Sequence, residues 1–143
     1  MTIAAILAER SGGEVHSAAC DMPLRDAIAI LAGRRIGALP VLKDGGVVGI
    51  ISERDVIYGL QREGASVLDK RVEEVMTSPA ITVEPKVTAL GALSQMTKRR
   101  IRHLPVVEGD TLVGIVSIGD LVKYRIDKIE REAEAMRDYI RSA

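Results

Sequence analysis

The sequence contains one pattern twice, with the second copy 65 positions after the first. Sliding the chain over itself by 65 residues aligns residues 15–57 with residues 80–122 without a gap. Twelve of the 43 aligned pairs are identical, including Pro40 with Pro105 and Ser52 with Ser117. A duplication of this kind predicts two similar structural units, since each copy must form the same elements.

A weaker echo precedes each copy. At a spacing of 69 residues it matches Ile3, Ile6 and Leu7 with Val72, Val75 and Met76. The difference from 65 means that the first copy carries four extra residues, which fall around Gly12-Gly13. A Gly-Gly pair in an insertion predicts a loop.

Both copies predict the order strand, helix, strand, strand, helix. Apolar residues at helical spacing follow a short apolar strand at residues 15–18 or 81–84. These residues are Leu24, Ala27, Ile28 and Leu31 in the first copy and Ala89, Ala92, Leu93 and Met96 in the second. Two apolar runs separated by Lys43-Asp44-Gly45-Gly46, or by Glu108-Gly109-Asp110, then predict a hairpin. Because a unit of about 45 residues buries too little surface to be stable alone, we expect the two units to share a core.

Composition excludes several classes of protein. Hydrophobic residues make up 47% of the 143 residues, which is enough for a folded core. The longest stretch without a charge, residues 87–97, has 11 residues, whereas a membrane-spanning helix needs about 20. The first residues also lack a signal-peptide pattern, so we expect a cytoplasmic protein with no membrane contact.

Charge and side-chain chemistry argue against nucleic acid, metal and catalysis. Twenty basic residues balance twenty acidic ones, and three tyrosines are the only aromatic residues, so no nucleic-acid partner is expected. One cysteine, Cys20, and two histidines cannot build a structural zinc site. The sequence has no nucleophile elbow, zinc-protease motif, P-loop or dinucleotide fingerprint, so we expect neither an enzyme nor a catalytic cofactor.

The motif Ser52-x-x-Asp55 recurs as Ser117-x-x-Asp120, each time where a strand is followed by a helix. Backbone amides at such a helix start favour a phosphorylated ligand, and a carboxylate there can accept hydrogen bonds from a vicinal diol such as that of ribose. Ser and Asp at this spacing also form a capping box, which stabilises the helix without any ligand. The two readings are compatible, and the recurrence favours a binding role.

These residues resemble a known family. The segments that carry the likeness are Arg35 to Val41 with Gly49 to Asp55, and Arg100 to Val107 with Gly114 to Asp120. Together they resemble a tandem pair of cystathionine-beta-synthase (CBS) domains, in particular the small stand-alone bacterial CBS-pair proteins that are described as signal-transduction proteins. The resemblance covers nearly the entire chain.

The resemblance implies an α/β (α+β) fold of two β-α-β-β-α repeats, packed pseudo-symmetrically and followed by a long C-terminal helix. We expect the first repeat, with an N-terminal helix, at residues 1–66, the second at 67–125 and a helical extension at 126–143, the two repeats forming one CBS-pair module. It also implies a regulatory module that senses an adenine nucleotide (AMP, ADP or ATP, with NAD or S-adenosylmethionine as further candidates) in clefts between the repeats.

Ligand contacts are implied at two clefts. Asp55 is expected to face the strand-to-helix loop of the second repeat, and Asp120 that of the first. The implied ligand-binding residues are Ser52 and Asp55 with Thr82, Val83, Pro85 and Val87 at one cleft, and Ser117 and Asp120 with Ser17, Ala18, Cys20 and Met22 at the other. Arg54, Arg102 and His103 are implied as phosphate contacts that are not assigned to either cleft. Arg102 and His103 are expected to contact phosphate, although a solvated basic strand edge explains them equally well. Because Gly37 and Ala38 stand at the corresponding positions of the first copy, the clefts are not expected to be equivalent.

The C-terminal segment predicts a long helix with an apolar seam. Its members are Val122, Ile126, Ile129, Ala133, Met136 and Ile140, at alternating spacings of four and three. The seam can pack on the first helix or on a second copy, and its length favours a homodimer. The main alternative function is a structural or protein-interaction pair that binds no ligand, and the effector protein is unknown in either case.

Overall fold

The computed structural model describes residues 1–9 and 15–142, which form two similar α/β halves followed by a long helix. The elements in chain order are α1 (Ile3–Glu9), β1 (Ala18–Ala19), α2 (Leu24–Arg34), β2 (Ala38–Lys43), β3 (Gly46–Ser52), α3 (Glu53–Glu63), α4 (Ala89–Arg99), β4 (His103–Glu108), β5 (Thr111–Ser117) and α5 (Ile118–Ser142). Two short 3₁₀ helices, Gly64–Asp69 and Val72–Glu74, connect the halves. The predicted fold class is confirmed, while the loop predicted at Gly12-Gly13 lies outside the described residues.

Both hairpins form where the sequence predicts them. Strands β2 and β3 pair antiparallel, as do β4 and β5. The first turn uses Asp44 and Gly45, which both have positive φ (51° and 82°), and the second uses Gly109 at φ 62°. Residues that tolerate left-handed backbone are required in such tight turns, so the turn chemistry sets the register of each hairpin.

The first strand of each copy is shorter than predicted, and the two copies differ. In the first half, β1 pairs with β2 in parallel only at residues 18 and 19, and Cys20 N–H donates to the Leu42 carbonyl at 3.1 Å. In the second half a single bridge joins Val83 to Val106. The residue that corresponds to Cys20 is Pro85, which has no N–H, so the ladder cannot continue there.

Buried side chains form two clusters, one in each half, instead of the single shared core that we expected. The first contains Ala18, Leu24, Ala27, Leu31, Leu39, Val41, Ile51, Val67, Val72 and Val75. The second contains Ile3, Ile6, Val83, Ala89, Ala92, Met96, Leu104, Val106, Val116 and Leu121. Helix α1 therefore belongs to the core of the second half, although it precedes the first half in sequence.

The segment that precedes each copy in sequence packs against the other half of the molecule. Amides of Ile3 and Ala4 donate to the carbonyls of Val87 and Pro85 at 2.8 and 2.9 Å. The corresponding amides of Val72 and Glu73 donate to the carbonyls of Met22 and Cys20 at 2.8 and 3.0 Å. The weak echo at a spacing of 69 residues is thus a structural equivalence. Each leading segment closes the half that it does not precede, which supplies the apolar surface that each half lacks.

Glycine makes the exchange possible at one point in each half. A Cβ on Gly49 would lie 2.6 Å from Met76 Sδ and 2.8 Å from the Thr77 carbonyl oxygen. A Cβ on Gly114 would lie 3.0 Å from both Leu7 methyl carbons. A register shift in the hairpin lies beside each glycine, so each glycine combines a β-bulge with a close approach of the leading segment.

The domain boundaries at residues 66 and 125 remain a prediction, to which the packing adds detail. Val67, Val72 and Val75 follow the first boundary and are buried in the core of the first half. Helix α5 crosses the second boundary without a break and continues to Ser142.

We predict that Gly49→Ala lowers the free energy of unfolding by about 1 to 3 kcal/mol, because the added methyl group meets a backbone carbonyl that cannot rotate away. Gly114→Ala should cost less, since only the tip of Leu7 must move. Gly33→Ala is the matched control, because its Cβ meets nothing within 4 Å in helix α2. Urea unfolding followed by circular dichroism measures all three, and equal midpoints for Gly49→Ala and Gly33→Ala would contradict the packing.

Candidate functional site

Both Ser-x-x-Asp motifs form complete capping boxes at the starts of α3 and α5. The Asp55 amide donates to Ser52 Oγ at 3.3 Å, and Asp55 Oδ2 accepts from the Ser52 amide and hydroxyl at 2.9 and 3.0 Å. The Asp120 amide donates to Ser117 Oγ at 3.2 Å, and Asp120 Oδ2 accepts from the Ser117 amide and hydroxyl at 2.7 and 2.9 Å. The capping interpretation is confirmed in both halves, and it holds each carboxylate in a fixed orientation.

The second oxygen of Asp55 faces the connector between the halves. Thr77 Oγ1 donates to Asp55 Oδ1 at 2.8 Å. Two backbone hydrogen bonds of 2.9 Å join Thr77 to Ile50, so the connector is held against the edge of β3. Because a carboxylate oxygen has two lone-pair directions, Asp55 Oδ1 can accept a further hydrogen bond beside that of Thr77.

A cavity of about 380 Å³ opens at this carboxylate, between the two halves. The first half and the connector contribute Gly37, Ile50, Ser52, Glu53, Arg54, Asp55, Tyr58, Thr77 and Pro79, and the second half contributes Ile81, Arg100, Ile101, Arg102 and His103. Its volume is within the range of small-molecule sites, and neither half alone provides its walls.

The cavity is rich in cationic side chains. Arg54, Arg100 and Arg102 line it together with the carboxylates of Glu53 and Asp55. Arg100 is also the C-cap of α4, with a left-handed backbone at φ 54°, and Arg35 is the equivalent C-cap of α2 at φ 53°. Guanidinium groups are the preferred side-chain partners of phosphate, because they offer several donors in a planar fork.

His103 stands at the contact between the halves. A Cβ on Gly37 would lie 3.1 Å from Cε1 and Nε2 of His103 and 2.9 Å from Glu53 Oε1, so the glycine leaves room for both side chains. Burial and the neighbouring Arg102 lower the pKa of His103, and Glu53 and Asp120 oppose this shift. The ligand-free cavity therefore favours the neutral imidazole.

The structure brings together five of the predicted ligand-binding residues. Ser52, Arg54, Asp55, Arg102 and His103 line one cavity. The family resemblance implied that Arg102 and His103 point into a cleft between the repeats, but it did not assign them to the cleft of Asp55. The ligand contacts themselves stay a prediction.

Four residues predicted beside Asp55 do not line this cavity. Val83 is buried in the core of the second half, and the carbonyls of Pro85 and Val87 accept hydrogen bonds from α1. Thr82 is exposed beside them. The segment reaches the cavity through Ile81 instead, one residue before the predicted stretch.

The residues predicted around the other cleft do not line this cavity either. They are Ser17, Ala18, Cys20, Met22, Ser117 and Asp120. Ala18 is 1% exposed in the core of the first half, so a ligand would reach only its backbone. Burial and a hydrogen bond to Glu73 raise the pKa of the Cys20 thiol, which favours its protonated, less reactive form.

Sequence reasoning missed several residues of the cavity. Thr77, Pro79 and Tyr58 lie outside the aligned segments 15–57 and 80–122 of the repeat, and the position equivalent to Thr77 at a spacing of 69 holds Ala8. Arg100 is the C-cap of α4, and its position in the cavity depends on how the halves meet. No signal in the sequence reports that geometry.

Two further features are absent from residues 1–9 and 15–142. No group of three or more His, Cys, Asp or Glu side chains there is arranged to hold a metal ion. No helix in the same residues has the length and apolar character needed to span a membrane.

A duplicated α/β unit with a cleft between its copies defines a class of tandem-repeat α/β modules, and comparison with known proteins names the family. The CBS domain model matches residues 13–62 and 72–127. The chain therefore belongs to the CBS domain family and carries two such domains in tandem.

Solved structures of CBS-domain proteins share this fold over most of the chain. A CBS-domain protein from Burkholderia ambifaria MC40-6, whose proposed role is signal transduction, is 38% identical, with 89% of this chain and 95% of that one covered and a TM-score of 0.82. The CBS domain pair of protein MJ0100, in complex with 5′-methylthioadenosine and S-adenosyl-L-methionine, is 27% identical, with 90% and 98% covered and a TM-score of 0.79.

Curated relatives extend beyond the matched region. The mitochondrial CBS domain-containing protein CBSX3 of Arabidopsis thaliana is 35% identical over 125 residues, which are 84% of this chain and 61% of that protein. Inosine-5′-monophosphate dehydrogenase of Mycobacterium tuberculosis (strain ATCC 25618 / H37Rv) is 39% identical over 106 residues, or 72% of this chain but only 19% of the enzyme. The likeness to the dehydrogenase is thus confined to a small part of its length.

We predict that the stability of the ligand-free protein falls as the pH drops below the ordinary histidine pKa of 6.5, because the unfolded chain then binds a proton that folded His103 resists. Replacing the imidazole in His103→Gln should remove this part of the pH dependence. Urea unfolding between about pH 7 and pH 5.5 measures it.

His16→Gln, which removes the only other histidine, is the control and should keep the wild-type slope. An unchanged slope in His103→Gln would mean that another group carries the pH dependence in this range.

Proposed function

We propose that this protein is a regulatory module that binds an adenine nucleotide in the cavity between its two CBS domains. The observation that carries the proposal is the meeting of the Asp55 carboxylate with Arg54, Arg100 and Arg102 around one cavity. A carboxylate that is held rigidly and three guanidinium groups are complementary to the two polar parts of a nucleotide, its sugar hydroxyls and its phosphates.

The capping box prepares Asp55 for a ribose. Its Oδ2 is held by the amide and hydroxyl of Ser52, and its Oδ1 faces Thr77 at the cavity wall. A ribose hydroxyl would donate to the remaining lone pair of Oδ1 or replace the hydroxyl of Thr77. Because the carboxylate is already oriented, little side-chain entropy is lost when a ligand binds.

The arginines favour a phosphorylated ligand. AMP, ADP, ATP and NAD all present phosphate oxygens, whereas the sulfonium of S-adenosylmethionine is itself cationic and would be repelled by neighbouring guanidinium groups. The relatives support an adenosyl ligand of some kind, since the MJ0100 pair is in complex with two of them. We therefore rank the adenine nucleotides first, with S-adenosylmethionine as the remaining candidate.

The two clefts are proposed to differ in affinity. The positions that correspond to Arg54, Arg102 and His103 hold Gly119, Gly37 and Ala38, which carry no charge. A pseudo-equivalent cleft at Ser117 and Asp120 would keep the ribose carboxylate but lose most of the phosphate contacts. We propose that one nucleotide binds in the cavity at Asp55 and that the other cleft is empty or takes an uncharged adenosyl compound.

Regulation is proposed to act through a change in how the halves meet. A ligand that contacts both halves shifts their equilibrium by its difference in affinity for the two arrangements. We propose that the module acts as a cytoplasmic homodimer on an effector protein still to be identified, and that it has no catalytic role. The alternative, a pair that only binds other proteins, predicts no response to any nucleotide.

We predict that at least one of AMP, ATP, NAD and S-adenosylmethionine raises the melting temperature. A ligand at 100 times its dissociation constant stabilises the fold by about 2.7 kcal/mol. Asp55→Asn should weaken binding by about 1 to 3 kcal/mol, measured by titration calorimetry. The control is Asp26→Asn, which changes the acidic residue in the first turn of α2, outside the cavity.

Two results would count against the proposal in different ways. If no compound in the panel shifts the melting temperature, the protein-interaction alternative is favoured. If a nucleotide binds and Asp55→Asn retains its affinity, the ribose contact is assigned to the wrong residue.

We predict that Arg100→Gln weakens AMP binding while leaving the binding of adenosine, which has no phosphate, nearly unchanged. Arg35→Gln is a closely matched control, because Arg35 caps α2 with the same left-handed backbone but does not line the cavity. Calorimetry with both ligands separates the two effects. Equal losses of AMP affinity in both variants would point to a general effect of charge.

A further inference from the structure

The seam of helix α5 (Val122, Ile126, Ile129, Ala133, Met136 and Ile140) is exposed along its whole length. Ile126 and Ile129 are 50% and 49% exposed, and Met136 and Ile140 are 60% and 65% exposed. A different face of the helix packs on the core of the second half through Leu121, which is fully buried, and Tyr124. The seam is therefore a second apolar face, and its 3.5-residue period is that of a coiled coil.

The described part of the chain provides no cover for this face. Helix α1 was one candidate, but its Ile3 and Ile6 are buried in the core of the second half. Residues 130–142 are exposed on all sides of the helix. A continuous exposed apolar face of this length is typical of a protein–protein interaction surface.

Charges beside the seam match a second copy of the same helix in one orientation. With Ile126 and Ile140 at position a and Ile129 and Met136 at position d, the flanking g residues are Arg125 and Glu132, and the e residues that follow them are Glu130 and Arg137. In a parallel dimer each g residue faces the e residue five positions later on the partner helix. Arg125 would then face Glu130 of the second copy, and Glu132 would face Arg137 of the second copy, so every such pair is attractive.

An antiparallel dimer that overlaps the full seam would instead bring like charges together. It brings Glu130 and Glu132 each opposite the same residue of the second copy, and Lys123 opposite Arg137 of the second copy. Like charges at these positions repel.

We propose that α5 pairs with α5 of a second copy as a parallel, in-register coiled coil along this seam. The inference rests on the proposed homodimer but is independent of the ligand. In such a dimer both capping boxes at Ser117 and Asp120 lie at the same end of the coiled coil, and the two helices leave the paired modules in the same direction.

Disulfide trapping tests the orientation in a Cys20→Ala background, which has no other thiol. We expect Met136→Cys to form a disulfide with itself across the dimer, and Ile126→Cys to do the same. In the full-overlap antiparallel arrangement, neither variant would link to itself, and only a mixture of the two would give a disulfide, detected by mass spectrometry. If disulfides form only when the two cysteine variants are mixed, the parallel pairing is overturned.

Charge reversal provides the second test. Glu132→Arg should raise the dimer dissociation constant about 2- to 30-fold, since two symmetry-related pairs become repulsive. Adding Arg137→Glu should restore the wild-type value. Glu134→Arg makes the same charge change at position b, away from the seam, and serves as the control. Sedimentation equilibrium measures all four proteins.

A monomer at every concentration overturns the proposal, and so does a dimer in which neither cysteine variant links. Nucleotide binding by the same variants, followed by calorimetry, is a separate readout. If the seam variants do not behave as expected but AMP still binds, the coiled-coil proposal is overturned and the proposed ligand site is unaffected. If the dimer forms as expected but no nucleotide binds, the ligand site is overturned and the coiled coil is unaffected.

Discussion

The structure depends on the exchange of the two leading segments. Each half alone is a two- or three-stranded sheet with two helices, which leaves one side of its core open. Ile3 and Ile6 close the second half, and Val72 and Val75 close the first. Paired backbone hydrogen bonds from these segments also satisfy the carbonyls of the strand-to-helix loops, so the exchange serves both packing and polar groups. Neither half can be removed without opening the core of the other.

The cavity follows from the same exchange. The segment that closes the first half continues directly into Thr77, whose backbone pairs with Ile50 and whose hydroxyl binds Asp55. The connector then passes Pro79 and Ile81 along the cavity wall before it enters the second half. One stretch of chain thus completes a core, orients a carboxylate and forms part of a wall. The proposed nucleotide site is thus built on a connection whose backbone and side chain are both hydrogen-bonded to the first half.

Local features of this chain could be predicted from sequence, whereas relations between the halves could not. The capping boxes, the hairpin turns and the buried faces of α2 and α4 depend on spacings of four residues or fewer, and all are present. The difference between the first strands of the two copies could be predicted from Pro85, because proline has no N–H group to donate a hydrogen bond. The echo before each copy indicated equivalent segments, but not which core each would enter. Arg100 and Thr77 reach the cavity only through tertiary packing, which no local pattern reports.

The residues proposed to bind phosphate are bonded directly to the start of α5, which suggests how a ligand could be sensed. The Arg102 carbonyl accepts from the Ile118 amide at 2.8 Å, and His103 is paired with Ser117, the residue whose side chain caps the helix. A phosphate that moves Arg102 or His103 would therefore act on the first turn of α5 without any intervening loop. Because α5 is one continuous helix from that turn to Ser142, a small rotation there would be carried along the exposed seam. In the proposed dimer, a nucleotide in the proposed site would therefore act on the pairing of the seam.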